Sequence, residues 1–322
     1  MMEVKSEKEK GKRDKREEGK MFSRTLLGFG ILILGFVLAG CGGTTSSSYF
    51  YGNPGWTVDG KIICLKELES TTKDVFGSET GSSVSFGVVG MSAAGTSETF
   101  LFDVTGNLPY SMTCSPTSAA KEYVAYMSQL TGTSFGGIVI RRISTGEGLA
   151  KVELNFSPGI ISCDWSNTGT QLVYCTTSEV HTINLDGTGD TAVVTGLTNV
   201  TYVAWKYGTK IAYVHTVGSD TILSLINANG TGNVDMPAAA SVEKPQISAA
   251  NNNLIYGLAG GSFCSVDVSA GTPVTTEVVA NFKGQVPRLD PTGATATYDK
   301  LIIENSGLYA LDLTTKAETK IK

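Results

Sequence analysis

Two histidines, His181 and His215, are the side chains best suited to move a proton near neutral pH or to hold a metal. They fall in neighbouring apolar runs, and no carboxylate or cysteine cluster stands beside either at metal-site spacing. Ordinary strand packing accounts for both. Gly132-Thr133-Ser134-Phe135-Gly136 matches the Gly-x-Ser-x-Gly pattern of a nucleophile elbow, which needs a strand before the serine and a helix after it. The next residues are Gly137-Ile138-Val139-Ile140, a strand pattern, and a chain with 38 glycines produces such matches by chance. Asp186-Gly187-Thr188-Gly189-Asp190 supplies oxygen ligands but lacks the full series and closing glutamate of a calcium loop. Five cysteines besides Cys41 stand at positions 64, 114, 163, 175 and 264, so at least one is unpaired. Cys163 and Cys175 flank one hairpin and are the best pair by proximity, although counting from the turn can put them on opposite faces. No catalytic residue, metal ligand or cofactor is assigned.

The N-terminal stretch carries an address rather than a fold. Arg24 precedes an apolar run over Thr25–Leu38, which ends in Leu38-Ala39-Gly40-Cys41. A basic residue, a short apolar stretch and small residues before a cleavage point form a secretory signal. The run is shorter than the roughly 20 residues that cross a bilayer as a helix. Its last four residues resemble the lipobox of bacterial lipoproteins, which implies cleavage before Cys41 and acylation of that cysteine. Residues 1–40 are thus read as a signal peptide, with Met21 as the favoured start. Residues 41–48 are read as the lipidated cysteine and a flexible Gly/Ser/Thr tether. In the same resemblance, a residue other than Asp at Gly42 permits export to the outer membrane, facing the periplasm or the cell surface.

Residues 1–40 hold nine of the 25 basic and six of the 30 acidic residues, which leaves a net −8 for the body. An acidic body argues against nonspecific nucleic-acid binding, which depends on neutralising phosphates. The elements that must position any site repeat along this body. An apolar strand closing in a polar turn recurs as LFDVTG (101–106), IRRISTG (140–146), TINLDG (182–187), LINANG (225–230), SVDVSAG (265–271) and ALDLTTK (310–316). Upstream of each lies an anchor residue, a turn and a strand, with anchors at Trp56, Cys114, Trp165, Trp205, Ile247 and Leu289. A period of about 40–45 residues is that of a four-stranded propeller blade. Apolar/polar alternation and Asp-Gly or Asn-Thr-Gly turns predict antiparallel hairpins.

Trp165-Ser-Asn-Thr-Gly169, Trp56-Thr-Val-Asp-Gly-Lys61 and Asn184-Leu-Asp-Gly187 resemble the repeat of TolB-like, or WD40-like, propellers. That resemblance implies an all-β fold over residues 49–322: one six-bladed propeller of four-stranded antiparallel blades. With Cys41 only 15 positions before Trp56, the α/β domain that precedes the TolB propeller has no room. Between Leu65 and Thr99 the first blade carries an insertion read as a surface loop. Gly77, Ser78, Glu79, Thr80 and Gly81 are its candidate recognition residues. Residues 48–51 are a candidate for pairing with the last blade.

The expected function is a membrane-anchored envelope lipoprotein whose propeller is a noncatalytic platform for a protein or ligand. The expected partners are the membrane, through lipid on Cys41, and an envelope protein or peptide. Two alternatives stand beside it. One is an extracytoplasmic enzyme acting on saccharides or peptides at the channel; the other is a structural subunit of an envelope assembly.

Overall fold

The structure is a computed structural model that describes residues 44–104, 110–116, 122–129, 136–143, 148–152, 159–285, 287–292, 295–300 and 307–322. Residues 1–43, among them the stretch read above as a signal peptide, Cys41 and Gly42, lie outside the described residues, as do Gly132–Phe135. The chain divides into two compact units, Met1–Ser48 with Glu69–Ser83 and Tyr49–Leu68 with Val84–Lys322.

The described strands form six four-stranded sheets, each built from four consecutive strands. The first holds β1 (Thr44–Trp56), β2 (Ile62–Lys73), β3 (Glu79–Met91) and β4 (Thr99–Val104). The second holds β5 (Tyr110–Cys114), β6 (Tyr123–Gln129), β7 (Gly136–Arg142) and β8 (Gly148–Val152). The third holds β9 (Ser162–Trp165), β10 (Gln171–Cys175), β11 (Val180–Asn184) and β12 (Thr191–Val194). The fourth holds β13 (Tyr202–Ala204), β14 (Ile211–Val217), β15 (Asp220–Ile226) and β16 (Val234–Asp235). The fifth holds β17 (Glu243–Ile247), β18 (Leu254–Ala259), β19 (Ser262–Asp267) and β20 (Thr275–Val279). The sixth holds β21 (Arg288–Leu289), β22 (Thr295–Lys300), β23 (Gly307–Asp312) and β24 (Glu318–Lys320).

Burial explains the ring. Successive side chains of a strand point to opposite faces of its sheet. In β10, Leu172 and Tyr174 pack with Met127 and Ile138 of the second sheet, while Val173 and Cys175 pack with Trp205 and Tyr213 of the fourth. Both faces are covered, so the middle strands read as unbroken apolar runs such as Leu172-Val-Tyr-Cys175 rather than the alternation expected from sequence. Six clusters of buried residues fill the six seams, the last between Trp56, Ile62 and Met91 of the first sheet and Leu308 of the sixth.

Each anchor enters a different seam. Trp56, Cys114, Trp165, Trp205, Ile247 and Leu289 each pack on the sheet that precedes their own around the ring. The residue after the anchor pins the turn. Ser166 Oγ accepts from the Thr170 and Gln171 amides at 3.2 and 3.0 Å, and Thr57 Oγ1 accepts from the Lys61 amide at 2.9 Å. This gives the Trp-Ser and Trp-Thr pairs a physical meaning, since a hydroxyl there satisfies amides that the tight turn leaves over.

Several expectations need correction. LFDVTG is not the first sheet's copy of the strand-and-turn element, because residues 101–104 lie in its outer strand β4. The matching turn is Ser92–Thr96. There Ser92 N–H donates to Thr96 O at 2.9 Å and Gly95 N–H to Ser92 O at 2.8 Å, the pattern of Asn184–Thr188 and Asn227–Thr231. The insertion is not a loop but the extended part of the β2–β3 hairpin. Gly77 and Ser78 lie in its turn, while Glu79, Thr80 and Gly81 open β3. Thr44–Ser48 lie in β1 rather than in a tether, and residues 48–51 pair within the first sheet. Cys163 stands opposite Tyr174 in the register, one place from Cys175, so the two cysteines face different seams. All five described cysteines are buried thiols rather than disulfides, and burial pushes the Cys163 thiol up to about 12.

Among the described residues, the last seam is closed by side chains rather than by an exchanged strand. Ile321 packs beside Trp56 and Leu308, and its carbonyl lies only 2.6 Å from where a Cβ on Gly95 would sit. Glu98 joins three elements there. It meets Lys66 Nζ at 2.6 Å and Lys322 Nζ at 3.2 Å, and accepts from the Tyr51 hydroxyl at 2.9 Å. Burial pushes the Glu98 carboxyl up, but the bonds from Lys66, Tyr51 and Lys322 outweigh it and leave the group below the usual carboxylate range. A carboxylate with a depressed folded-state pKa stabilises the fold above its unfolded value, and that contribution vanishes as pH falls through the folded value. Urea midpoints measured from pH 7 downward will therefore show an acid-side slope that Glu98→Gln reduces, with a loss of about 1 kcal/mol at pH 7. Trp165→Ala, at a fully buried anchor, will lower the unfolding free energy by about 3–5 kcal/mol in the same assay.

Candidate functional site

The six inner strands, β1, β5, β9, β13, β17 and β21, end on one central recess. Its lining is drawn from all six sheets: Gly55 and Trp56, Thr113 and Cys114, Asp164, Lys206 and Tyr207, Gln246 and Ile247, and Arg288 and Leu289. The placement follows from strand geometry. Each anchor turns into the seam with the preceding sheet, so the residue just before it points to the opposite face, toward the following sheet, and at the innermost strand that position also borders the recess. Gly55, Thr113, Asp164, Gln246 and Arg288 hold that position in five sheets. In the fourth the equivalent residue is Ala204, and Lys206 and Tyr207 from the following turn reach in instead.

A polar network ties the ring together across this recess. One oxygen of Asp164 accepts from the Thr113 hydroxyl at 2.8 Å. The other accepts from the Trp205 and Lys206 amides at 2.9 and 3.0 Å. Asp164 thereby joins the second, third and fourth sheets. Trp165 Nε1 donates to Thr113 O at 3.0 Å, and Trp56 Nε1 donates to Arg288 O at 3.2 Å. Lys206 Nζ donates to Trp56 O at 3.2 Å, and an Arg288 guanidinium nitrogen donates to the Tyr202 hydroxyl at 2.5 Å. Burial holds the Lys206 ammonium below the ordinary lysine range, partly opposed by nearby Cys114 and Asp164. Burial also lifts the Cys114 thiol to about 11, so it stays protonated near neutral pH.

The recess is narrow and open on one side. It has room for about one or two waters rather than a deeply buried ligand. Two cations face one carboxylate here, and that carboxylate is already occupied by three donors.

The two histidines do not reach this recess. His181 on β11 lies with Nδ1 3.2 Å from Asp190 and Nε2 3.1 Å from Glu179, stacked 4.9 Å from Tyr174, whose hydroxyl also donates to Asp190. His215 on β14 meets Ser224 Oγ at 3.0 Å, and Ser224 in turn donates to Asp235 at 2.7 Å. Each belongs to its own sheet. Among the described residues no group of three or more His, Cys, Asp or Glu gathers as a metal site. Asp186 serves its turn, accepting from the Thr188 amide and hydroxyl at 2.9 and 2.7 Å. Sequence reasoning does not single out the recess residues. Their signal is positional: each stands immediately before or just after an anchor.

Together the six sheets and the axial recess define the class of this chain as an all-β propeller. No model of a known family matches it, and no curated relative does. Solved structures share the fold. TolB from Acinetobacter baumannii is 11% identical with a TM-score of 0.55, over 85% of this chain and 78% of that one. An oligogalacturonate lyase in complex with manganese is 12% identical at 0.51, over 84% and 93%. The propeller domain of the Trilobed protease from Pyrococcus furiosus, described as having an open velcro topology, is 8% identical at 0.50, over 85% and 98%. More particularly, TolB and this chain share that propeller fold, and the described sheets here are each made of consecutive strands.

Asp164→Ala will leave the Trp205 and Lys206 amides and the Thr113 hydroxyl without their acceptor inside the ring. Urea unfolding will show a loss of about 3–5 kcal/mol. Gln246→Ala, at the same place in the fifth sheet, will cost under about 1 kcal/mol.

Proposed function

We propose that this chain is a cell-envelope lipoprotein, held by lipid on Cys41, whose propeller offers a noncatalytic binding platform to an envelope protein or peptide. The observation that carries the platform reading is the engaged state of the recess. Asp164 accepts three bonds, while Lys206 and Arg288 each donate to a group on another sheet. Groups committed to holding a ring rigid suit preorganised recognition better than proton transfer, which needs a group free to change partners. The anchoring reading rests on the Leu38-Ala39-Gly40-Cys41 sequence. Gly42 supports an outer-membrane destination by the same resemblance. No helix among the described residues is long and apolar enough to cross a membrane.

A photo-crosslinker at Lys61, exposed on the turn that leads out of Trp56, will capture an envelope protein or peptide in intact cells. The same group at Val217, at the end of β14, will not. Capture at both positions, or at neither, overturns the platform at this mouth. Turnover of oligogalacturonides or short peptides by the purified chain, lost on substitution of a recess residue, replaces it with an enzyme. Mass spectrometry will find acyl chains on Cys41, and Cys41→Ser will move the protein from the membrane fraction to the soluble one.

A further inference from the structure

We infer that Val75 and Phe76, at the tip of the β2–β3 hairpin, insert into the membrane interface beside the lipid on Cys41; this rests on the lipoprotein reading above. Phe76 is 68% exposed and Val75 56%, and Phe76 is the most exposed large apolar side chain among the described residues. Adjacent apolar residues at an exposed turn cost solvation in water and gain it back at a lipid interface.

The tip is built to make that move. Asp74 Oδ1 accepts from the Phe76 and Ser78 amides at 2.8 and 2.9 Å, and Asp74 N–H donates to Ser78 O at 2.9 Å. Local bonds thus satisfy the backbone that would otherwise lose water on approaching lipid. Across Glu69–Ser83 one lysine stands against three acidic residues, so attraction to anionic headgroups is not the driving force. The apolar pair is.

Register brings the tip to the anchor. Ser47 Oγ meets Ser70 Oγ at 3.2 Å, and Ser48 Oγ donates to Glu69 at 3.5 Å. One strand number rises as the other falls, so Thr44 lies level with Lys73, next to the turn. Cys41 is three positions before Thr44. An extended chain spans at most about 3.6 Å per residue, so the acylated residue sits within roughly 11 Å of Thr44. Two apolar side chains hold a membrane weakly alone, but acyl chains alongside turn their insertion into a nearly intramolecular step.

The test uses the full acylated chain carrying Phe76→Trp in phosphatidylcholine vesicles. Trp56, Trp165 and Trp205 are buried, so the parent chain gives the background. With acylation of Cys41 verified by mass spectrometry, the added tryptophan is expected to emit to the blue and be quenched by lipids brominated near the headgroup. Emission that neither shifts nor quenches in the acylated chain overturns this inference and leaves the lipoprotein reading standing. Absence of acyl chains on Cys41 overturns both. A blue shift without vesicles that grows with protein concentration assigns the tip to a second copy and also overturns it. Val75→Ser with Phe76→Ser is expected to speed transfer of the acylated chain between vesicles several-fold; an unchanged rate counts against insertion.

Discussion

The rest of this structure depends on one constraint: a small four-stranded sheet exposes two apolar faces and cannot cover either itself. A stack of sheets covers the inner faces and leaves two outer ones, whereas a closed ring leaves none. Trp165, Trp205 and Trp56 act at this point, each lying between two sheets at the inner edge of a seam. The anchors that are not tryptophan do the same with less volume. Cys114 is the smallest of them, and a Cβ on Gly55 would come within 2.9 Å of its sulfur, so the first and second sheets approach closely there.

The axis follows from the seams. With every anchor turned toward the preceding sheet, the residue before it faces the following one at the inner end of its strand, and five such positions, with Lys206 and Tyr207 from the fourth sheet, border a narrow space. Polar groups placed there lose water and must find one another. Asp164 shows how this is met, drawing the Thr113 hydroxyl and two backbone amides from the sheets on either side. The same network that rigidifies the ring leaves little open volume at its centre. The outermost seam obeys a related logic, where Glu98 collects Lys66, Tyr51 and Lys322 and joins the first sheet to residues after the last strand.

The first sheet departs most from the repeat. Its β2–β3 hairpin continues well past the length seen in the other sheets, with β2 and β3 of 12 and 13 residues. The extension, Glu69–Ser83, forms a compact unit with the stretch that ends at Ser48. In a chain read as lipid-anchored, that is where a contact with the bilayer belongs, because it is the part of the fold tied by the shortest stretch of chain to Cys41.

The period of 40–45 residues, the Trp-Ser and Asp-Gly turns and the six anchors are legible in the amino acids, because turns and seam contacts recur once per sheet and leave a mark at fixed spacing. Other features mislead for equally physical reasons. LFDVTG looks like a third strand because an outer strand with one covered face has the same alternation, and only the bonds of Ser92–Thr96 reveal the true turn. The insertion looks like a loop because Ser, Thr and Gly on a solvated hairpin carry no apolar pattern. The recess itself is formed only on folding. Thr113, Asp164, Lys206 and Arg288 stand roughly 40 or more positions apart, and although each lies beside an anchor, nothing before folding shows that these positions meet. Closure of the ring brings them together, because only there do the inner ends of all six sheets meet.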